Sequence, residues 1–365
     1  MITRGEMPQV RRVCVLAWGG AAVSWELSSP GGLAPSLATC AAFLLLATGC
    51  ALHIRRGLVA ELRRSQEIAG AAQRALLRPL PGRIDGLALA AAQLSASRGA
   101  AVGGDLYEAV PTGYGVRVVI GDVRGHGLAA LGAAAAVLGA FREAAYDEPS
   151  LGGVLRRMER ALARHVRDRG RAEHPSACPA EPQSPSSEEF VTVLLLQIAP
   201  DGSLLALNRG HPWPHLLRPA ASGEPCGPVP AGSSASPASA ARGLGRSPGR
   251  RGEGGAGIGS AQRARVRALD GGETWPPLGV VPVDPDVRPQ ECGMLRPGEA
   301  LVLHTDGAED ARDHAGRFFD LPGALAAQPA LTPARLVAGV HAALLRHTSG
   351  RLADDVALLV LRNDR

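Results

Sequence analysis

Apolar and polar residues alternate along this 365-residue chain in three successive regimes. No Asp, Glu, Lys or Arg occurs from Leu33 to Ile54, a stretch long enough to cross a hydrocarbon core of ~30 Å as a helix. Val13 to Leu27 is a shorter apolar run, interrupted by Gly19, Gly20 and Ser24, with Trp18 and Trp25 where an interface would hold them. Arg11 and Arg12 precede the first run, while Arg55, Arg56, Arg63 and Arg64 follow the second. A transmembrane helical hairpin places both basic flanks in the cytoplasm, with a cleaved signal peptide as the alternative for the first run. Residues 57–79 then show helical spacing that ends at Pro79; such a helix can pair with a copy of itself or pack on its own domain.

From Ile84 the pattern changes to short apolar runs bounded by Gly, Pro or Asp: Leu87 to Ala92, Val102 to Val110 and Val116 to Ile120. Leu128 to Ala145 and Leu151 to Val166 have the spacing of helices. Strand-like runs resume at Phe190 to Ile198, Ser203 to Leu207 and Pro214 to Leu217, with Asp201 and Gly202 as a hairpin turn. Further strands are expected at Pro276 to Val281, Ala300 to His304 and Val356 to Leu361, with a helix from Pro333 to Arg346. Strands in runs, broken by paired helices, predict an α+β architecture of antiparallel sheets covered by helices. Two low-complexity insertions, near 170–188 and 220–262, are too poor in apolar residues to join that core. The expected organisation is thus a two-helix membrane anchor at 1–56, a helical linker at 57–79 and one domain at 80–365.

Composition narrows the chemistry. All 39 basic residues are Arg, and they are spread along the chain against 34 acidic residues, for a net charge of +5. With three Tyr, five Phe and four Trp there is little for base stacking, which argues against a nucleic-acid partner. Cys14, Cys40, Cys50, Cys178, Cys226 and Cys292 show no CxxC or paired spacing, so neither a zinc site built on thiolates nor a disulfide framework is expected.

The candidate chemistry lies in carboxylates. Asp122 ends the apolar run of VVIGDVRGHG, Asp105 stands in AVGGDLYE, Asp306 in LVLHTDGAED, and Asp354 with Asp355 in RLADDVALLVL. Each sits at a strand edge, where one acid is an ordinary turn residue and four are not explained by turns alone. If the strand ends converge, these acids repel unless cations sit among them. Hard oxygen donors without an adjacent Cys or His pair favour Mg²⁺ or Mn²⁺, two ions rather than one, activating water for in-line attack on phosphorus. His126 is read as a loop-orienting residue and His211 as structural, Asn208 and Arg209 as facing the site without touching phosphate, Thr192 as a core residue, and His304 as turned away from the acids by strand alternation.

In order along the chain, VGGDLYE, GDVRGHG, FVTVLLLQI, NRGHPWP, LVLHTDGAED and ADDVALLVL resemble the motifs of the SpoIIE-type branch of the PPM (protein phosphatase 2C-like) metal-dependent serine/threonine phosphatases. The resemblance implies an α-β-β-α sandwich with two Mn²⁺ or Mg²⁺ ions between its sheets. It implies hydrolysis of phosphoserine or phosphothreonine on a small regulatory protein, typically an anti-sigma-factor antagonist. Carried over by motif, Asp122 bridges both ions and positions the attacking water, the Val123 carbonyl and Asp105 serve the first ion, and Asp306 and Asp354 hold the second. Gly104 and Gly121 allow the backbone to approach. Together with the hairpin, this gives a multi-pass membrane protein with a cytoplasmic phosphatase domain, dimeric through its linker helix. A catalytically silent scaffold and a hydrolase of small phosphoesters are the competing readings; the first requires loss of a ligand acid, and no GxxxxGK loop supports nucleotide binding in the second.

Overall fold

Strand alternation sorts the apolar residues of residues 80–365 into three separate cores, and those cores define the layers. The computed structural model describes residues 24, 33–94, 103–125, 127–173, 189–219, 264–269 and 271–365. Within them lie α1 (Leu33–Leu76), β1 (Arg83–Ile84), β2 (Leu87–Leu94), β3 (Leu106–Thr112), β4 (Gly115–Val123), α2 (Leu128–Asp147) and α3 (Leu151–Glu173). These are followed by β5 (Val191–Ile198), β6 (Ser203–Arg209), β7 (His215–Arg218), β8 (Arg265–Ala268), β9 (Gln290–Met294) and β10 (Ala300–His304). A 3₁₀ turn (Asp306–Ala308), α4 (Leu321–Ala326), α5 (Pro333–His347) and β11 (Val356–Asn363) complete the chain.

The strands form two sheets, one in the order β1-β2-β11-β10-β7-β8 and the other β3-β4-β5-β6-β9. Every paired strand runs antiparallel to its neighbour. Val118, Ile120, Leu194 and Leu196 point from one sheet to meet Leu301, Leu303, Leu359 and Leu361 from the other, closing the middle core. The intervening residues Val119, Val123, Val193 and Leu195 face the other way, onto Val137, Phe141, Leu155 and Met158 of α2 and α3. Val302, Val356, Leu358 and Val360 likewise pack outward on Leu336, Val340 and Leu344 of α5. The expected α-β-β-α layering is therefore the one observed.

One buried cation joins two of these layers. Arg117 of β4 is 0% exposed. Its guanidinium donates to the carbonyls of Ala145, Glu148 and Pro149 and to Gln197 Oε1. It thereby satisfies carbonyl groups that the C-terminus of α2 leaves without helical partners. Elsewhere, Arg142 of α2 pairs with the buried Glu108 of β3 and also donates to the Leu76 carbonyl at the end of α1.

Several expectations require correction. The chain divides into two compact units, Met1–Ser65 and Gln66–Arg365. Among the described residues no helix is long and apolar enough to cross a membrane. This overturns the expected transmembrane hairpin and multi-pass membrane location, and with it the cytoplasmic placement derived from them. The first proposed span, Val13 to Leu27, lies outside the described residues except for Ser24, as do most of the 170–188 insertion and all of 220–262.

Pro276 to Val281 is not a strand: Leu278 makes a single bridge to Val191, and Val280 N–H turns back to the Pro277 carbonyl. Consecutive Pro276 and Pro277 lack the N–H groups a ladder needs. Conversely, β8 and β9 carry mostly exposed side chains and so lack an apolar signature. Helix α3 continues beyond Val166 to Glu173.

Candidate metal centre between the sheets

The acids gather where strand ends from both sheets meet. Asp122 is the penultimate residue of β4, and Asp105 immediately precedes β3, with which β4 pairs. Asp306 opens the 3₁₀ turn that follows β10, and Asp354 and Asp355 lead into β11, which pairs with β10. Cross-strand pairing within each sheet, and the stacking of one sheet on the other, thus bring four distant sequence segments to one edge.

Their electrostatics record the convergence. Asp105 is 3% exposed and its Oδ2 has no hydrogen-bond partner. Burial holds its carboxyl well above the usual carboxylate range, followed by repulsion from Asp122 and Asp355, with a hydrogen bond from the Thr305 side chain opposing. Asp122 is pushed up to about 7, first by burial and then by Asp306, Asp354 and Asp355. Asp306 is also raised, by desolvation first and Asp354 second. Asp122 is therefore central, with Asp105 and Asp355 toward the buried side and Asp306 and Asp354 toward solvent.

Backbone shape completes the site. A Cβ on Gly104 would run into the Val123 carbonyl oxygen and lie 2.8 Å from Asp122 Oδ1. A Cβ on Gly103 would meet Asp355 Oδ2 at 2.5 Å, and one on Gly307 would strike the Asp355 carbonyl. Glycine at these three positions lets main chain and carboxylates share a space that any side chain would fill. The donor set is all oxygen, one oxygen of a buried acid (Asp105 Oδ2) has no hydrogen-bond partner, and a main-chain carbonyl is at hand, which fits hard divalent cations. Among the described residues, however, no three of these carboxylates bring oxygens within 4.8 Å of one another.

Two positioning residues escape the sequence reading. Thr192, expected in the core, accepts a hydrogen bond from the Asp122 N–H at 3.2 Å and contacts His211 Nδ1 at 3.1 Å. Its partner across the ladder is Asp122 itself, a relationship visible only once β4 and β5 are in register. Thr305 accepts from the Ala357 N–H at 2.9 Å while its side chain hydrogen-bonds Asp105. Its place next to Asp306 was the available signal.

The structural role read for His211 is consistent with its contacts. Asn208 Nδ2 donates to the His211 carbonyl and His211 N–H returns to Asn208 Oδ1, both at 2.8 Å. His211 is buried, which pulls its imidazole down to about 3, and His304 adds to the shift. Arg209 donates to the Val281 carbonyl. His126 lies outside the described residues.

The sequence profile of the SpoIIE family (Stage II sporulation protein E) matches residues 112–232 and 260–364. No curated protein matches at a significant level. Among solved structures, the chain is similar to the RsbU and RsbW domains of a Mycobacterium tuberculosis protein at 22% identity and a TM-score of 0.49, covering 76% of this chain and 60% of that one. The SiaA-PP2C domain of Pseudomonas aeruginosa is 17% identical, with a TM-score of 0.49, over 85% of this chain and 98% of that one. The PP2C domain of SpoIIE from Bacillus subtilis, with a fragment of its regulatory domain, is 12% identical with a TM-score of 0.46, over 76% and 62% of the two chains. The chain thus spans less than two thirds of the mycobacterial and B. subtilis chains.

Proposed function

The chain belongs to the SpoIIE family of PPM-type protein serine/threonine phosphatases, and from that premise we propose that its acid cluster hydrolyses phosphoserine or phosphothreonine on a regulatory protein of the anti-sigma-factor antagonist class, using two Mn²⁺ or Mg²⁺ ions. The observation that carries this reading is Asp105, a buried carboxylate whose Oδ2 lacks any partner beside Asp122 and Asp355. Such a group is costly to bury as an anion unless a cation accompanies it.

Asp122, central in the cluster, would be the ligand common to the two ions and would position the attacking water. Asp105 and the Val123 carbonyl would hold the first ion, and Asp306 and Asp354 the second. When bound, the ions supply an activated water and neutralise charge developing on the phosphoryl oxygens. Thr192 fixes the Asp122 backbone, and Thr305 orients Asp105. Water adds to phosphorus as the bond to the serine or threonine oxygen breaks, releasing phosphate and the hydroxyl side chain.

RsbX has been solved in complex with magnesium, and the PstP catalytic domain with two manganese ions. A homodimer through α1 is proposed as well, since Leu58, Val59 and Leu62 are exposed on that helix; truncation before Leu80 is expected to abolish self-association.

The deciding test is phosphate release from a phosphoserine peptide and from a phosphorylated antagonist protein, with Mn²⁺ or with chelator. Turnover that requires metal and vanishes in Asp122→Asn supports the assignment. Equal turnover in chelator, or in the variant, excludes it.

A further inference from the structure

On the helix-covered face of the sheet that carries β10, a second cluster of metal-binding side chains lies behind the Asp306 turn. His215 opens β7 and His304 closes β10; His215 pairs with Val302, so His215 and His304 share the face that Val302 presents to the α5 core. Their rings stack with centroids 5.3 Å apart and planes 12° from parallel. Glu309, one residue past the 3₁₀ turn, sets Oε1 at 3.7 Å from His215 Nε2 and 3.6 Å from His304 Nε2. The three ligand atoms lie within 4.8 Å of one another.

Both histidines are buried, at 5% and 1% exposure, and neither Nε2 has a hydrogen-bond partner. His304 Nδ1 lies 3.3 Å from the Thr305 carbonyl, an acceptor only, so the proton belongs on Nδ1 and Nε2 presents its lone pair to Glu309. Two imidazole nitrogens and a carboxylate oxygen thus converge on one point, the donor arrangement of a metal site. Ligand atoms of a tetrahedral ion with bonds of ~2.0–2.1 Å stand roughly 3.3 Å apart, a few tenths of an ångström closer than these. Glu309 is half exposed, which gives an ion a route in.

We propose that His215, His304 and Glu309 bind one Zn²⁺, at a site distinct from the acid cluster, with water as the fourth ligand. Two imidazoles and one carboxylate select a borderline ion over Mg²⁺, whereas the all-oxygen cluster does the reverse. The Thr305 carbonyl, as acceptor to His304 Nδ1, sets that ring's orientation. The ion ties the end of β10 to Glu309. Because the N–H groups of Glu309 and Asp310 both donate to the Asp306 carbonyl, at 2.9 and 2.8 Å, this clamps the turn that carries Asp306.

The test uses the full chain, stripped with chelator and dialysed against ZnCl₂ in a large excess of MgCl₂, with bound zinc measured by atomic absorption. Wild type and Asp122→Asn are each expected to retain one zinc per chain. His215→Ala and Glu309→Gln are expected to bind it at least roughly 10–100-fold more weakly, the range seen when even a ligand's supporting contact is lost. Glu309→Gln changes a half-exposed group and keeps the test valid if His215→Ala misfolds. Co²⁺ substitution gives a second readout, a visible band of tetrahedral type that Glu309→Gln abolishes. Zinc binding unchanged in Glu309→Gln, zinc lost in Asp122→Asn, or no zinc on folded wild type overturns the proposal; in the last case the three residues form only a hydrogen-bonded ion pair.

Discussion

The N–H of Val123 donates to the Gly104 carbonyl at 3.2 Å, and the space a Gly104 side chain would occupy is already taken by the Val123 carbonyl oxygen. The segments that enter and leave the β3–β4 hairpin at its open end are thereby locked together, with Asp105 and Asp122 beside the contact. Gly104→Ala must push the Val123 carbonyl and Asp122 away. Displacement of about 1 Å at such a site costs roughly 100-fold in rate. The expected result is a folded variant with that loss in kcat/KM for a phosphopeptide, checked by steady-state kinetics beside circular dichroism; unchanged kinetics would show that the carbonyl plays no part.

Asp105→Asn separates stability from function. In chelator, removing a buried charge that faces Asp122 and Asp355 relieves repulsion, so Tm rises. With Mn²⁺ the order reverses, because wild type gains stability by ion binding and the variant gains less. Differential scanning fluorimetry with and without Mn²⁺ reads both signs.

Asp354 and Asp355 are adjacent but occupy different surroundings. Both act on Asp122, but Asp354 is exposed and also acts on Asp306, whereas Asp355 is 8% exposed and also acts on Asp105. Asp354→Asn is expected to weaken Mn²⁺ activation most, by raising the metal concentration needed for half-maximal rate. Asp355→Asn is expected to affect the inner position and fold stability more. Metal titrations of both variants decide, and identical titrations would remove the distinction.

Arg117→Met leaves the carbonyls of Ala145, Glu148 and Pro149 without their donor while retaining most of the side-chain volume. Unsatisfied buried acceptors cost ~1–3 kcal/mol each, and partial relaxation brings the expected loss to about 3 kcal/mol. Urea unfolding should show a lower midpoint with little change in slope.

His211 supplies a pH dependence. Its imidazole titrates at about 3 in the fold against about 6.5 when unfolded, so between those values the unfolded chain binds more protons. Its contribution is complete above pH ~6.5 and is lost as pH falls through that window toward 3. The stability difference between wild type and His211→Gln should therefore shrink from pH 7 to pH 4, measured by chemical denaturation at each pH. A constant difference would contradict the burial of a neutral ring.

Local sequence was sufficient for what local periodicity encodes. Short apolar runs at Val116 to Ile120, Ala300 to His304 and Val356 to Leu361 marked strands packed on both faces, and the acids at the ends of such runs marked a cluster of carboxylates. It also separated the paired helices α2 and α3 from the strands. What it could not carry were relationships set by register and by closure of one sheet on another. Thr192 became a partner of Asp122 only through the β4 and β5 ladder, and β8 and β9, with mostly exposed side chains, are strands because their neighbours offer hydrogen bonds. The same closure set His215 against His304, residues that are distant in the chain and that share a face only across β7 and β10. The extent of the uncharged stretch from Leu33 suggested a bilayer, but hydropathy records only a preference for leaving water; the surroundings a helix meets are a property of the assembled chain.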